Sequence, residues 1–324
     1  MHVLIIGAAG MVGQKLMREL VHRGELSGRE ITHMTLADVV APNAPENFSG
    51  TVTTLEVDIT APTTATDLVA SKPDVIFHLA AIVSGEAEVN FDKGYAINMA
   101  AFLALLEAIR AVDNYVPRLV FTSSIAVFGA PFPEAIPDDF HSTPLTSYGT
   151  QKAIGELLLN DYSRKGFVDG IGIRLPTVCI RPGKPNLAAS GFFSNILREP
   201  LVGQKAVLPV SKDVMHWHAS PRAAVGFLTH AAELDTSVLG ARRSMSMPGL
   251  AATVREQIDA LGRVAGAGAV RLIREEPDAD IMKIVDGWPR SFAPERAISL
   301  GFAADKDFEE IIRIHIEDEL GGSI

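Results

Sequence analysis

Three glycines at fixed spacing, Gly7, Gly10 and Gly13, stand between an apolar run, His2 to Ile6, and an amphipathic one, Gln14 to Val21. Branched apolar residues followed by apolar positions at helical spacing predict a strand, a turn and a helix. In that setting each glycine has a task. Gly7 permits a tight turn, Gly10 lets a diphosphate approach the backbone at the positive helix end, and Gly13 lets the helix pack closely on the strand. Gly7, Gly10, Met11 and Gly13 are therefore candidate dinucleotide contacts.

The same alternation continues. Strands are predicted at His2–Ile6, Ile31–Ala37, Thr51–Val57, Asp74–Leu79, Arg118–Thr122 and Gly170–Leu175, with helical patterns between them. Short branched strands separated by helices predict βαβ units and a parallel sheet covered on both faces, an α/β Rossmann fold, doubly wound. The texture changes after Arg181-Pro182-Gly183 to loops rich in Pro, Gly and Ser. The expected organisation is a dinucleotide-binding domain over 1–182 with a returning segment near 214–236, and a smaller C-terminal substrate-binding region over 183–324. The run from Tyr95 to Ile109 is apolar nearly all round, so one face should pack on the sheet and another on a partner subunit.

Net charge narrows the partners. A balance of −10 repels phosphate polyanions, so a small molecule is expected and a nucleic acid is not. The single cysteine, Cys179, has no internal partner, and no CxxC pair or Cys/His cluster suggests a metal. The apolar start lacks a basic leader, and no run reaches the roughly 18 apolar residues of a membrane span. A soluble, cytoplasmic protein is expected.

A second test of the dinucleotide reading lies at the end of the second strand, where a carboxylate suits the ribose hydroxyls of NAD and an arginine the extra phosphate of NADP. Asp38 stands there, followed by Val39 and Val40, which favours NAD. Asp58 is a further candidate near the adenine, although either aspartate is also a natural loop-starting residue.

Tyr148 and Lys152 stand four apart at the start of a helical pattern, on one helix face. A nearby ammonium stabilises tyrosinate and makes the phenol a usable proton acceptor. Oxidation of an alcohol needs such an acceptor as hydride leaves carbon. Ser123 and Ser124 end an apolar strand at the sheet edge where ligands bind in open α/β folds, and a hydroxyl there can hold the reacting oxygen.

Taken in order, these residues resemble the extended short-chain dehydrogenase/reductase family, also called the NAD-dependent epimerase/dehydratase superfamily. The matching pieces are the glycine pattern, Asp38, Asp58-Ile59, His78-Leu79-Ala80-Ala81, Asn98, Thr122 to Gly129, and Tyr148-x-x-x-Lys152. The resemblance implies catalytic roles for Ser124, Tyr148 and Lys152, the lysine also holding the nicotinamide ribose, and a water-relay role for Asn98. It also implies cofactor contacts from Ile59, Leu79, Ala80, Ala81 and Pro176, and a homodimer built from two helices of each subunit.

Dehydratases of the family carry an acidic pair after the serine, whereas Ile125 and Ala126 stand here. The diphosphate-gripping arginine of the nucleotide-sugar epimerases has no counterpart in Val214–Ser220. The later segments, Ile173 to Thr177, Arg181 to Gly183, Trp288 to Phe292 and Leu300 to Phe302, are similar to the D-erythronate dehydrogenases, which oxidise the C2 hydroxyl of a four-carbon sugar acid. An acid substrate wants a cation for its carboxylate. Arg181, Lys184 and Arg222 are candidates, with Ser84, Ser124 and Thr177 for hydroxyls. His216 and His218 lack a third ligand at suitable spacing and are expected to pack or hydrogen-bond. The alternatives are a nucleotide-sugar epimerase or reductase that retains its NAD, and a uronate dehydrogenase.

Overall fold

The computed structural model describes residues 1–183 and 190–323, so Lys184 lies outside the described residues. The chain divides into two compact units, one made of Met1–Val127, Thr146–Arg174 and Val225–Met245, the other of Phe128–Leu145, Leu175–Ala224 and Ser246–Ile324. These bounds differ from the expected 1–182 with a returning segment near 214–236. The chain leaves the first unit after Val127, returns at Thr146, leaves again after Arg174, and returns at Val225 rather than near 214. Residues Met215–Ala219 belong to the second unit because their backbone groups pair there with Thr177–Val178 and Leu250–Thr253.

The first unit is built on a seven-stranded sheet. Its strands are β1 (His2–Ile6), β2 (His33–Asp38), β3 (Thr51–Glu56), β4 (Val75–His78), β5 (Arg118–Ser124), β6 (Asp169–Leu175) and β7 (Ser244–Ser246). They lie in the order β3-β2-β1-β4-β5-β6-β7, and β3 through β5 pair in parallel. The order reverses beside β1, which is where a doubly wound sheet opens a crevice for a ligand. The second strand begins two residues later than the apolar run suggests, because Ile31 N–H is spent on Gly24 O at 2.9 Å.

Three helices position the site. α1 (Met11–Arg23) buries Gly13, Leu16, Met17 and Leu20 at helical spacing and stops where Gly24 turns left-handed at φ 68°. α2 (Ala101–Arg110) is preceded by a helical turn at Phe91–Tyr95 and a π-helical segment at Ala96–Ala100. It buries Phe102, Leu105, Leu106 and Ile109, and Phe102 stacks on Phe121 of β5 at 4.4 Å. Ala104 remains exposed and Leu103 half-buried. α3 (Ser147–Arg164) starts sharply because the Thr146 hydroxyl accepts from Gly149 N–H at 3.1 Å.

The second unit has its own core, in which Phe192, Phe193, Ile196 and Leu197 meet Ile258, Leu261, Ile311 and Ile312. Its helices include Gly191–Leu201, Val254–Val270 and Phe308–Glu319. Among the described residues, no helix is long and apolar enough to cross a membrane.

Candidate active site

The glycine loop is held from two sides. Gly7 and Ala8 N–H both donate to Ala37 O at the end of β2, and Leu79 and Ala80 N–H both donate to Ile6 O at the end of β1. Gly7 adopts φ +96°, and a Cβ there would sit 2.6 Å from Ala80 N; a Cβ on Gly13 would sit 2.2 Å from Gly7 O. These two glycines are required by the protein's own packing. Gly10 is not: it is exposed, its φ is −67°, and a Cβ would meet only Gly7 O at an ordinary 3.4 Å. What Gly10 leaves room for lies outside the chain, directly before a 13-residue helix whose first turn has no side-chain cap and no acidic residue. An uncapped, positive helix end behind a bare backbone fits a dinucleotide's diphosphate. Met11, the first helical residue, is half-buried beside it.

Asp38 ends β2 half-buried, with Oδ2 accepting from Ala9 N–H at 2.9 Å. The carboxylate is thereby fixed against the glycine loop, where a ribose would meet it. Asp58 behaves otherwise. It is exposed, and Oδ1 accepts from both the N–H and the hydroxyl of Thr60 at 2.8 and 2.7 Å, bonds that hold its carboxyl below the usual range. That geometry is a local turn, the plainer of its two expected roles. Ile59 and Leu79 are half-buried beside these loops and Ala81 is exposed.

Tyr148, on the second residue of α3, is half-buried, while Lys152 one turn later is 1% exposed. Lys152 Nζ donates to Thr122 O at 2.8 Å, lies 4.9 Å from the centre of the Phe121 ring and lies 5.8 Å from that of Tyr148. The lysine is thus anchored to the last turns of β5 and stands under the tyrosine. Burial pushes its ammonium down to about 8, against the opposing pull of Glu156.

The alternation of β5 separates the two serines. Ser123 is buried and donates to Glu156 Oε1 at 2.5 Å, whereas Ser124 is half-buried and its Oγ accepts from Ala126 N–H at 3.1 Å. Ser124 is therefore the one whose hydroxyl hydrogen is left for another acceptor. Asn98 sits in the π-helical segment, 1% exposed. Its Oδ1 accepts from Ile82 N–H at 2.9 Å, and its Nδ2 donates to Ile82 O at 3.2 Å and to Gln151 Oε1 at 2.8 Å. The side chain is a clamp on the loop after β4, with both amide hydrogens spent and one of the two Oδ1 lone pairs used. The same loop leads into the short helix Ser84–Val89, with Ser84 half-buried at its start.

In the second unit, Pro176 is buried and Thr177 half-buried, directly beyond the end of β6. Arg181 Nε donates to Val178 O at 3.1 Å and Nη2 to Ser190 Oγ at 2.6 Å. Arg222 is committed elsewhere: its guanidinium pairs with Glu317 and Asp318 at 3.0 and 2.5 Å on the surface. Both bonds leave from Nη2 and hold the side chain toward the helix Phe308–Glu319. His216 bonds Thr177 and Pro289, and His218 bonds Gln257.

Sequence reasoning missed Gln151, buried against Asn98, and the Ser123–Glu156–Arg174 cluster beneath Lys152. Glu156 stood one turn beyond Lys152 on the same helix face, a spacing that is visible without a structure.

The chain is 46% identical over 322 residues to the D-erythronate dehydrogenase of Cupriavidus necator, covering 98% of each. It is 43% identical over 320 residues to that of Haemophilus influenzae, covering 99% of this chain and 100% of the other. A solved structure described as the nucleoside-diphosphate-sugar epimerase from Agrobacterium tumefaciens superposes with a TM-score of 0.98 at 65% identity, covering 100% of this chain and 95% of that one. The model of the NAD dependent epimerase/dehydratase family matches residues 3–220, and the chain belongs to that family.

Proposed function

We propose that the protein is an NAD-dependent dehydrogenase that oxidises the C2 hydroxyl of a small sugar acid, D-erythronate, to the 2-keto acid. The observation that carries the chemistry is the buried Lys152 ammonium, anchored to Thr122 O and set under Tyr148. A cation there favours the phenolate, so Tyr148 accepts the hydroxyl proton while Ser124 donates to the same oxygen and holds it. When bound, NAD supplies the hydride acceptor for the C2 hydrogen. Lys152 has donors beyond the one spent on Thr122 O to hold ribose hydroxyls. Asp38 favours NAD over NADP, since an added 2′-phosphate would face a fixed carboxylate.

The substrate follows the two full-length dehydrogenase relatives. An epimerase of nucleoside-diphosphate sugars, as in the name of the Agrobacterium protein, needs a cation for the substrate diphosphate. Here the segment 214–220 turns two neutral, buried histidines inward. Pro176, Thr177, Ser84 and Arg181 complete the proposed contacts. Leu157, 68% exposed on α3, and Leu103 on α2 give these helices an apolar outer face, which supports a homodimer through both. A cytoplasmic location accords with the lone buried cysteine.

The test is turnover of aldonic and uronic acids with NAD. Stoichiometric formation of reduced nicotinamide with D-erythronate is expected. Tightly retained NAD, no net reduction by any acid, and interconversion of nucleotide sugars would replace this reading with the epimerase one.

A further inference from the structure

The His-x-His pair on the strand Met215–Ala219 has no part in the chemistry above, yet one of its members touches a proposed substrate residue. His216 Nδ1 lies 2.9 Å from Pro289 O, and Nε2 lies 2.7 Å from Thr177 Oγ1. A carbonyl oxygen only accepts, so Nδ1 must carry a hydrogen. The ring is 3% exposed, stacked flat on Phe193 at 5.2 Å with an interplanar angle of 1°, and flanked by Trp288 at 5.2 Å. Burial pushes its pKa down to about 4, so at neutral pH the imidazole is uncharged and Nε2 is a bare lone pair. Thr177 has one hydroxyl hydrogen, and the 2.7 Å contact requires that hydrogen to point at Nε2. The oxygen therefore offers only lone pairs to any further partner.

We propose that His216 is a positioning residue that fixes Thr177 as a hydrogen-bond acceptor, so that Thr177 recognises a hydroxyl hydrogen of the polyhydroxy acid and not its carboxylate. The proposal rests on the reading of Thr177 as a substrate contact given above. It adds a direction to that contact and excludes Thr177 from the donor set that must neutralise the acid group. An analogue in which this hydroxyl is replaced by hydrogen leaves Oγ1 without its donor, which is the kind of mismatch a polar site rejects strongly.

The test compares D-erythronate with its 3-deoxy and 4-deoxy analogues, using the full chain with NAD. The wild type should prefer D-erythronate over one of the two analogues by about tenfold or more in kcat/KM. Thr177→Val should erase most of that preference, the loss falling mainly on KM for D-erythronate. His216→Phe, which keeps the stacked ring but no nitrogen, should do the same, and the double variant should be no worse than Thr177→Val alone. Additive losses in the double variant, or full discrimination retained by His216→Phe or Thr177→Val, would overturn the proposal. Should His216→Phe fail to fold by thermal unfolding, His216→Gln keeps an acceptor toward Thr177 and should keep the preference; its loss in a folded, NAD-binding variant counts against the idea. A wild type that binds NAD but ignores D-erythronate refutes the functional reading first.

Discussion

Arg174 grips Glu156 through three contacts, Nε to Oε1 at 2.9 Å and to Oε2 at 3.2 Å, and Nη2 to Oε2 at 2.7 Å, on the face of α3 one turn beyond Lys152. The side chains are 12% and 5% exposed, and Ser123 donates to the same carboxylate. Removing one partner of such a pair strands a charge in a medium that solvates it poorly. Glu156→Leu should therefore lower the unfolding free energy by about 3–5 kcal/mol at neutral pH. Urea unfolding measures this, and the double variant Glu156→Leu/Arg174→Met should recover most of the loss. A single variant within about 1 kcal/mol of wild type would show the pair to be ornamental.

Tyr148→Phe removes one oxygen from a half-buried position at the start of α3. If that oxygen is the proton acceptor, kcat should fall by about 10²- to 10⁴-fold. NAD affinity, read by titration calorimetry, should stay within a few-fold of wild type, because the glycine loop and Asp38 are untouched. Retained turnover in this variant would remove the phenol from the mechanism.

Asp38 does two jobs at once, since the oxygen that fixes Ala9 N–H belongs to the carboxylate proposed to meet the ribose. Asp38→Ser keeps a short polar group but loses the charge. Hydrogen bonds to charged groups contribute about 1.5–3 kcal/mol, so the KM for NAD should rise roughly ten- to a hundredfold. The ratio of NADP to NAD efficiency should rise at the same time. An unchanged ratio would mean that cofactor choice is made elsewhere.

Much of this layout is legible in the residues themselves. Gly7, Gly10 and Gly13 mark a strand-to-helix turn by their flanks alone, and Tyr148 and Lys152 share a face by spacing alone, because both signals depend only on local periodicity. What periodicity does not carry is long-range pairing. Nothing in Phe128–Leu145 shows that it belongs with residues 175–224, and nothing local in Arg222 tells of Glu317 and Asp318, some 95 positions away. The π-helical turn around Asn98 is equally hidden, since it is set by the bonds from Asn98 to Ile82 and Gln151 across two other segments. The choice between Ser123 and Ser124 lies between these cases. Strand alternation says that the two face opposite ways, but only the position of Glu156 says which one is withdrawn.

The placement of Lys152 carries a cost that pH should expose. In the folded chain its pKa is lowered to about 8 by burial, from 10.5 in an ordinary setting. Below pH 8 both folded and unfolded states hold the proton, and the full penalty of burying the ammonium, roughly 3 kcal/mol, weighs on the folded state. Between about 8 and 10.5 the unfolded chain binds the proton that the folded chain has released, so stability rises with pH and the penalty fades. Other groups titrate in the same range, notably Tyr115, which burial raises and which therefore opposes the trend. The contribution is isolated by comparison with Lys152→Met, measured without cofactor by denaturant unfolding from pH 7 to 10. The variant should be more stable than wild type at pH 7, by an amount that shrinks as pH rises past 8. A constant difference across that range would mean that the ammonium of Lys152 is no less comfortable in the fold than in water.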